Sequence, residues 1–356
     1  MKNFKIHITN LLLLILFFLV GFQFFQLNKM EKTQGANDIV GKIPSYFSKQ
    51  LNCAISKINK DYNSNKKAGT YGIDIESFIF ITDVHWNTNK KYSPSLIKKI
   101  MENTAVQTVI CGGDAIIAHN PTKHGAVKEL KGFINAIRNI PCYEFYYVFG
   151  NHDDNTNGNK NAAIQFTREE LYNILYLPFA YLKNVHWIWE DDPSVLKETI
   201  VKADYYVDHP RTRTRYLCLD WTNPVSNRRI KWIHKVLSKN DGYRIIVFYH
   251  GIYSGMGGKL TKEHIQIMDA LFPFRNKIVA LFSGHAHQDS VQDYYGDGSV
   301  PVIITACDTF RPSYMKENTL DEQCFDVAIV DYKQNKIKLT RIGRGKDREI
   351  PFSLSK

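Results

Sequence analysis

The sequence predicts an α/β fold, and three observations carry that expectation. From Ile73 onward, apolar runs of strand length alternate with segments of helical period. The runs SFIFITDVHW, TVICGGDAI, YYVFGNHDD, RIIVFYHGIY and IVALFSGHAHQ each stop abruptly at Asp, His or Asn, usually with Gly alongside. The end of the chain, by contrast, turns to β throughout. With 44% apolar residues in 356, the chain can bury a substantial core and is not a mostly disordered protein.

Residues 1–28 stand apart. From Ile6 to Asn28 there are 23 residues without a charge, preceded by Lys2 and Lys5. The segment is either a cleaved signal peptide or an uncleaved membrane anchor. The short Leu11–Val20 core favours the first. The lack of a small-x-small cleavage site and the continuation through Phe22, Phe24, Phe25 and Leu27 favour the second. The flanking lysines put the N-terminus in the cytoplasm and the rest of the chain outside, membrane-anchored or secreted. Residues 29–72 read as a basic linker or stalk, or as a helix packed on the domain edge through Phe47, Leu51, Ile55 and Ile58. Residues 73–345 form one domain, and 346–356 are expected to be a C-terminal tail.

Within the domain the first strand is expected at Phe78–Thr82. A helix follows at SPSLIKKIMEN, where Ser93 can cap and Pro94 suits the first turn. The run VQTVIC forms a second strand, a helix lies within Val127–Ile137, and Tyr143–Phe149 forms the third strand. Thr167 and Glu170 make a capping box that opens a helix through Leu177. Strands are expected at Ala203–Asp208, Arg215–Leu219 and Ile245–Tyr249, with a helix around Ile230–Leu237. The final strands are Ile278–Phe282, Ser290–Tyr294, Val302–Thr305, Val327–Asp331 and Lys338–Arg341.

The net charge of +11 raises the question of nucleic acid. Ten lysines against Glu31, Asp38 and Asp61 put +7 of it in residues 1–72 and leave +4 for everything after, which weighs against a basic binding face on the domain. Six cysteines lack paired spacing, and Cys111, Cys218 and Cys307 sit in β-rich apolar runs where a buried thiol is expected.

The polar strand ends carry the chemistry. In open α/β sheets ligands bind off the carboxyl ends of strands, so these ends can converge. They supply Asp83, His85, Asp114, Asn151, His152, Asp153, His250, His285 and His287. Carboxylate, imidazole and amide oxygen without thiolate suit a borderline or hard divalent ion. Seven direct ligands exceed what one ion needs but match two ions about 3.5–4 Å apart. On an extended strand the members of Asp83-x-His85 and of His285-x-His287 would face the same way.

This ordered set, Asp83-x-His85, Gly113-Asp114, Gly150-Asn151-His152-Asp153, His250 and Gly284-His285-x-His287, resembles the calcineurin-like metallophosphoesterase superfamily. The resemblance implies a four-layer sandwich of two mixed β-sheets flanked by helices, and a centre of two Mn, Fe or Zn ions. It implies Asp83, His85 and His287 on one ion, Asn151, His250 and His285 on the other, and Asp114 bridging. A bridging hydroxide would attack the phosphorus of a phosphomonoester or diester, and His152 would stabilise charge or protonate the leaving oxygen, with Asp153 orienting it. Some relatives with a degraded centre serve as scaffolds, which leaves a binding module as the alternative beside a nuclease-type phosphodiesterase.

Other features admit two readings each. The run GIYSGMGGK is a mobile flap or an ordinary loop. Arg211, Arg213 and Arg215 grip an anion or form a solvated face. Trp86 stacks on substrate or packs internally. Oligomeric state is not legible.

Overall fold

The computed structural model describes residues 40–67, 74–86, 91–156, 161–179, 184–188, 204–239, 241–252, 261–309, 311 and 313–354. The export or anchor segment at 1–28 and most of the Gly-rich run after His250 lie outside the described residues. Among the described residues no helix is long and apolar enough to cross a membrane.

In chain order the elements are α1 (Ser45–Lys67), β1 (Ile75–Ile81), α2 (Ser93–Asn103), β2 (Thr108–Cys111), α3 (Lys123–Arg138), β3 (Glu144–Tyr147), α4 (Arg168–Leu175), β4 (Val185–Trp187), β5 (Tyr205–His209) and β6 (Thr214–Leu219). Then follow α5 (Asn227–Leu237), β7 (Arg244–Tyr249), α6 (Lys262–Leu271), β8 (Ile278–Ser283), β9 (Ser290–Asp293), β10 (Pro301–Ile304), β11 (Cys324–Asp331), β12 (Lys336–Gly343) and β13 (Arg348–Pro351). They build two mixed sheets, ordered β13-β12-β11-β1-β2-β3 and β4-β5-β6-β7-β8-β10-β9. Strands β1, β2 and β3 run parallel in the first, and β6, β7, β8 and β10 in the second.

Three apolar layers result. Alternation along β1 sends Ile79 and Ile81 to the outer face, with Leu51 of α1, Ile97 of α2 and Phe133 of α3. Phe78 and Phe80 point the other way, toward Phe248 of β7 and Phe282 of β8 in the second sheet. Beyond that sheet, Leu217, Val247 and Leu281 meet Ile233 of α5 and Met268 of α6. Strands covered on both faces read as continuous apolar runs, which is why the sequence shows them so clearly. The inner aromatics also join the sheets beneath the polar strand ends. Phe78 lies edge-on to Phe248 and Phe282, with centroids 5.4 and 5.1 Å away. Each such pair contributes roughly 0.5–1.5 kcal/mol beyond its buried area.

Several expectations are corrected. Residues 45–67 are a helix of the domain rather than a free stalk, because Phe47, Leu51, Ala54, Ile58 and Tyr62 fall on one buried stripe. Part of the expected tail is the edge strand β13, held by the pairing of Ile350 with Ile337; four residues with one buried apolar side chain are too short to show alternation. The edge strand β4 escaped notice for the same reason. Helix α6 was also missed, although Thr261 caps it through the His264 backbone N–H. Ser93 does not cap α2, whose N-cap is Tyr92; its hydroxyl donates instead to the Asp308 carboxylate. Arg215 neither grips an anion nor faces solvent. It is buried and paired with Asp208 and Asp241. Trp86 is buried against Phe133 and so packs internally. All six cysteines are free, and Cys111, Cys218, Cys307 and Cys324 are buried.

Candidate metal centre

The carboxyl ends of β1, β2, β3, β7 and β8 converge at one edge of the sandwich, and the two sheets are tied there by backbone. The Asp83 N–H donates to the Gly113 carbonyl (3.0 Å) and the Gly284 N–H to the His250 carbonyl (2.8 Å). The Trp221 N–H reaches the Phe149 carbonyl from the opposite sheet (3.2 Å). Side chains cross as well: Asp83 Oδ2 accepts from the His285 N–H at 2.9 Å, and His250 reaches the Gly112 carbonyl.

Left-handed backbone is concentrated here. Of the eleven non-glycine residues with positive φ among the described residues, five are Asp83 (52°), His85 (43°), Asp114 (56°), His285 (63°) and His287 (55°). Each costs on the order of 1–2 kcal/mol, and such strain persists only where the surroundings over-determine it. This corrects the expected geometry of the two x-separated pairs. Strand β1 ends at Ile81 and β8 at Ser283, so the pairs share a target through left-handed residues flanking Val84 and Ala286, not through strand pleat. Gly113 (φ 105°) is required by conformation. Gly150 is required by space, since a Cβ there would lie 2.1 Å from Asp114 Oδ1.

The imidazoles are oriented by backbone carbonyls. His85 Nδ1 donates to Ile116 O (3.1 Å), His152 Nδ1 to Ile117 O (2.7 Å) and His250 Nδ1 to Gly112 O (2.7 Å). A carbonyl can only accept, so each Nδ1 carries a proton and each Nε2 is turned inward. His85 Nε2 lies 3.3 Å from His287 Nε2, which is 3.1 Å from Asp83 Oδ1. His250 Nε2 lies 3.2 Å from Asn151 Oδ1 and 3.1 Å from Asp114 Oδ2.

Two groups of ligating atoms emerge, each within 4.8 Å: Asp83, His85, His287, and Asp114, His250, His285. A third combination, His85, Asp114, His152, lies between them. Thus every residue expected as a ligand is brought together, with Asn151 beside His250.

The electrostatics suit cations. Burial works to raise the Asp83 and Asp114 carboxyls, yet the neighbouring histidines hold both below the usual range. Burial disfavours charge on His250, but the Asp114 carboxylate pushes it up to about 9. Burial lowers His85 to about 3 and His285 to about 4, keeping their lone pairs available. Asp114 Oδ2 is buried without a donor in hydrogen-bonding geometry. Such an atom costs about 1–3 kcal/mol, more when charged, and a bridging cation removes that cost. The donor set and this orphaned oxygen fit divalent metal.

Asp153 does not do what the sequence suggested. Its Oδ1 accepts from the Ala115 N–H (2.8 Å), and its Oδ2 from Gly150 (2.7 Å) and Asp114 (3.1 Å). The carboxylate clamps the β2 and β3 loops together, while the Ile117 carbonyl orients His152. Asp153→Asn should therefore destabilise the protein by about 2–4 kcal/mol, since either amide orientation points NH₂ at backbone N–H groups. Urea unfolding reads this directly. An unchanged midpoint would remove Asp153 from the clamp.

Sequence reading missed other participants. Glu129 on α3 accepts from the Ile117 N–H at 3.0 Å and so holds the loop whose carbonyls orient two imidazoles. Trp221 packs 4.9 Å from the His285 ring and 4.4 Å from His264. Arg311 Nη2 lies 3.1 Å from His287 Nδ1, from a loop with no pattern to mark it. Of the seven histidines outside the motifs, His119 and His264 approach the site, and His7 lies outside the described residues.

The profile of the calcineurin-like phosphoesterase family matches residues 77–289. Among solved structures, a dimetal phosphatase from Danio rerio is 16% identical, covers 78% of this chain and 99% of its own, and superposes with a TM-score of 0.55. GAP50, the anchor in the inner membrane complex of Plasmodium, is 13% identical over 79% of this chain and 90% of its own, with a TM-score of 0.46. Among curated protein sequences none matches the chain.

Proposed function

Because the chain belongs to the calcineurin-like phosphoesterase family, we propose that it hydrolyses a phosphoester at a centre of two divalent ions of the Mn, Fe or Zn type. Asp83, His85 and His287 would hold one ion and Asn151, His250 and His285 the other, with Asp114 available to both. The observation that carries this reading is the pair of ligand groups, Asp83-His85-His287 and Asp114-His250-His285, with Asp114 also within ligating distance of His85. When bound, two such ions lower the pKa of a water nucleophile and polarise the phosphoryl group.

The chain's own residues supply the rest. Three carbonyls fix imidazole tautomers before anything binds, so no reorientation is needed during reaction. His152 presents Nε2 3.8 Å from Asp114 Oδ2; with Nδ1–H held by the Ile117 carbonyl, Nε2 is the nitrogen that takes up a proton and, as the imidazolium, gives it to a phosphoryl or leaving-group oxygen. The uncharged Ile6–Asn28 stretch supports placing this chemistry outside the cytoplasm, which protease accessibility on intact cells tests.

Purified protein should cleave an activated aryl phosphoester when Mn is added, stop on chelation and recover on re-addition. Activity indifferent to chelators, or none across Mn, Fe and Zn, would sink the reading.

A further inference from the structure

Among the described residues, Arg311 is a cation beside the site that the ligand set leaves unexplained. It sits in the connection between β10 and β11, and that connection is fixed from several directions. The Asp308 N–H donates to the Thr82 carbonyl (3.0 Å), the Cys324 N–H to Asp308 Oδ1 (2.8 Å), and Arg344 Nη2 to the Cys307 carbonyl (3.1 Å). Arg215, Arg229, Arg341 and Arg348 each meet an aspartate. Arg311 meets no carboxylate among the described residues. Its Nε is buried without a hydrogen-bond partner, and its Nη2 donates to Nδ1 of the metal-ligating His287 at 3.1 Å.

That last contact is incompatible with a loaded site. A guanidinium only donates, so Nδ1 of His287 is here an acceptor and the ring proton is on Nε2, facing Asp83 Oδ1. An ion on Nε2 requires that lone pair and shifts the proton to Nδ1, which sets two donors against each other. Loading therefore releases a partly buried, donor-only fork one imidazole ring away from the ion on Nε2. A donor fork of this kind matches phosphate oxygens in two-point geometry.

The number of oxygens then selects the substrate. A phosphodiester has two non-bridging oxygens, and two ions can engage both. A phosphomonoester has three and carries a further negative charge, leaving one oxygen for another cation. Building on the phosphoester reading above, we propose that Arg311 binds the third non-bridging oxygen of a terminal phosphoryl group and sets the site for phosphomonoesters over diesters.

The test compares wild type, Arg311→Ala and Arg311→Lys in the full chain, loaded with Mn. Nitrophenyl phosphate and bis(nitrophenyl) phosphate serve as substrates, orthophosphate affinity is read by calorimetry, and metal content by elemental analysis. Arg311→Ala should keep its metal and lose kcat/KM for the monoester by roughly 100-fold, against roughly 10-fold or less for the diester. Orthophosphate affinity should fall with the monoester rate, and Arg311→Lys should restore part of both. Equal losses on the two esters, unchanged orthophosphate affinity, or loss of metal would each overturn the proposal, the last because Arg311 would then only support His287. If wild type binds metal and orthophosphate but cleaves neither ester, the phosphoester reading fails, and the variant's orthophosphate affinity still decides the role of Arg311.

Discussion

His152→Ala is expected to retain its metal and to lose turnover by roughly 10²- to 10⁴-fold on an ester with a poor leaving group. The Ile117 carbonyl holds Nδ1–H at 2.7 Å, so Nε2 is the nitrogen that exchanges a proton. The ring is 16% exposed and lies edge-on to the His85 ring, with centroids 4.9 Å apart. An alkoxide leaving group needs a proton, whereas a nitrophenolate does not. The defect should therefore shrink to about tenfold on a nitrophenyl ester, if the proton is what His152 supplies. A defect of equal size on both esters would assign His152 to charge stabilisation instead. Loss of an ion on elemental analysis would make it a ligand, which the closeness of His85, Asp114 and His152 makes a real alternative to exclude.

Much of this site was readable from sequence because its parts are local and ordered. Each ligand closes a strand that is buried on both faces, so a run such as YYVFGNHDD shows both the mount and the group it carries. What the sequence could not show is how neighbouring residues in a motif divide their labour. Asp153 follows His152 directly, yet its oxygens turn to the backbone N–H groups of Gly150, Asp114 and Ala115. The task assigned to it falls to a carbonyl, which any residue at position 117 would provide. Carbonyl partners leave no compositional trace. Arg311 is silent for a different reason: it reaches His287 from a connection without period or motif. Likewise the i, i+2 pairs were legible as pairs, but their left-handed backbone was not, because Asp and His adopt it only when the surroundings impose it. At the periphery, the stripe of α1 allowed a helix packed on the domain edge but did not decide it against a stalk, since Lys- and Asn-rich surroundings equally suit a solvated segment.

Asp114→Ala should have the opposite signature to His152→Ala: metal is lost first, and activity follows. Asp114 is grouped with His250 and His285 and also with His85, which belongs to the other ligand group. Its Oδ2 lies 3.1 Å from His250 Nε2, and Asp83 and His85 stand across from it in the other group. Its Oδ1 accepts the His152 N–H at 2.9 Å, so the same carboxylate also fixes the loop that carries Asn151. Removing it leaves each ion one charge short and its neighbours less constrained. Stability separates this from simple misfolding. An ion present at 100 times its Kd stabilises a folded protein by about 2.7 kcal/mol per site, so Mn should raise the wild-type melting temperature and leave Asp114→Ala nearly unmoved. Asp114→Asn keeps the shape, lacks the charge and should behave as the alanine variant does toward Mn. A chain that still binds two ions per molecule after either substitution would show that Asp114 does not bridge, and the two ligand groups would then have to be treated as separate sites.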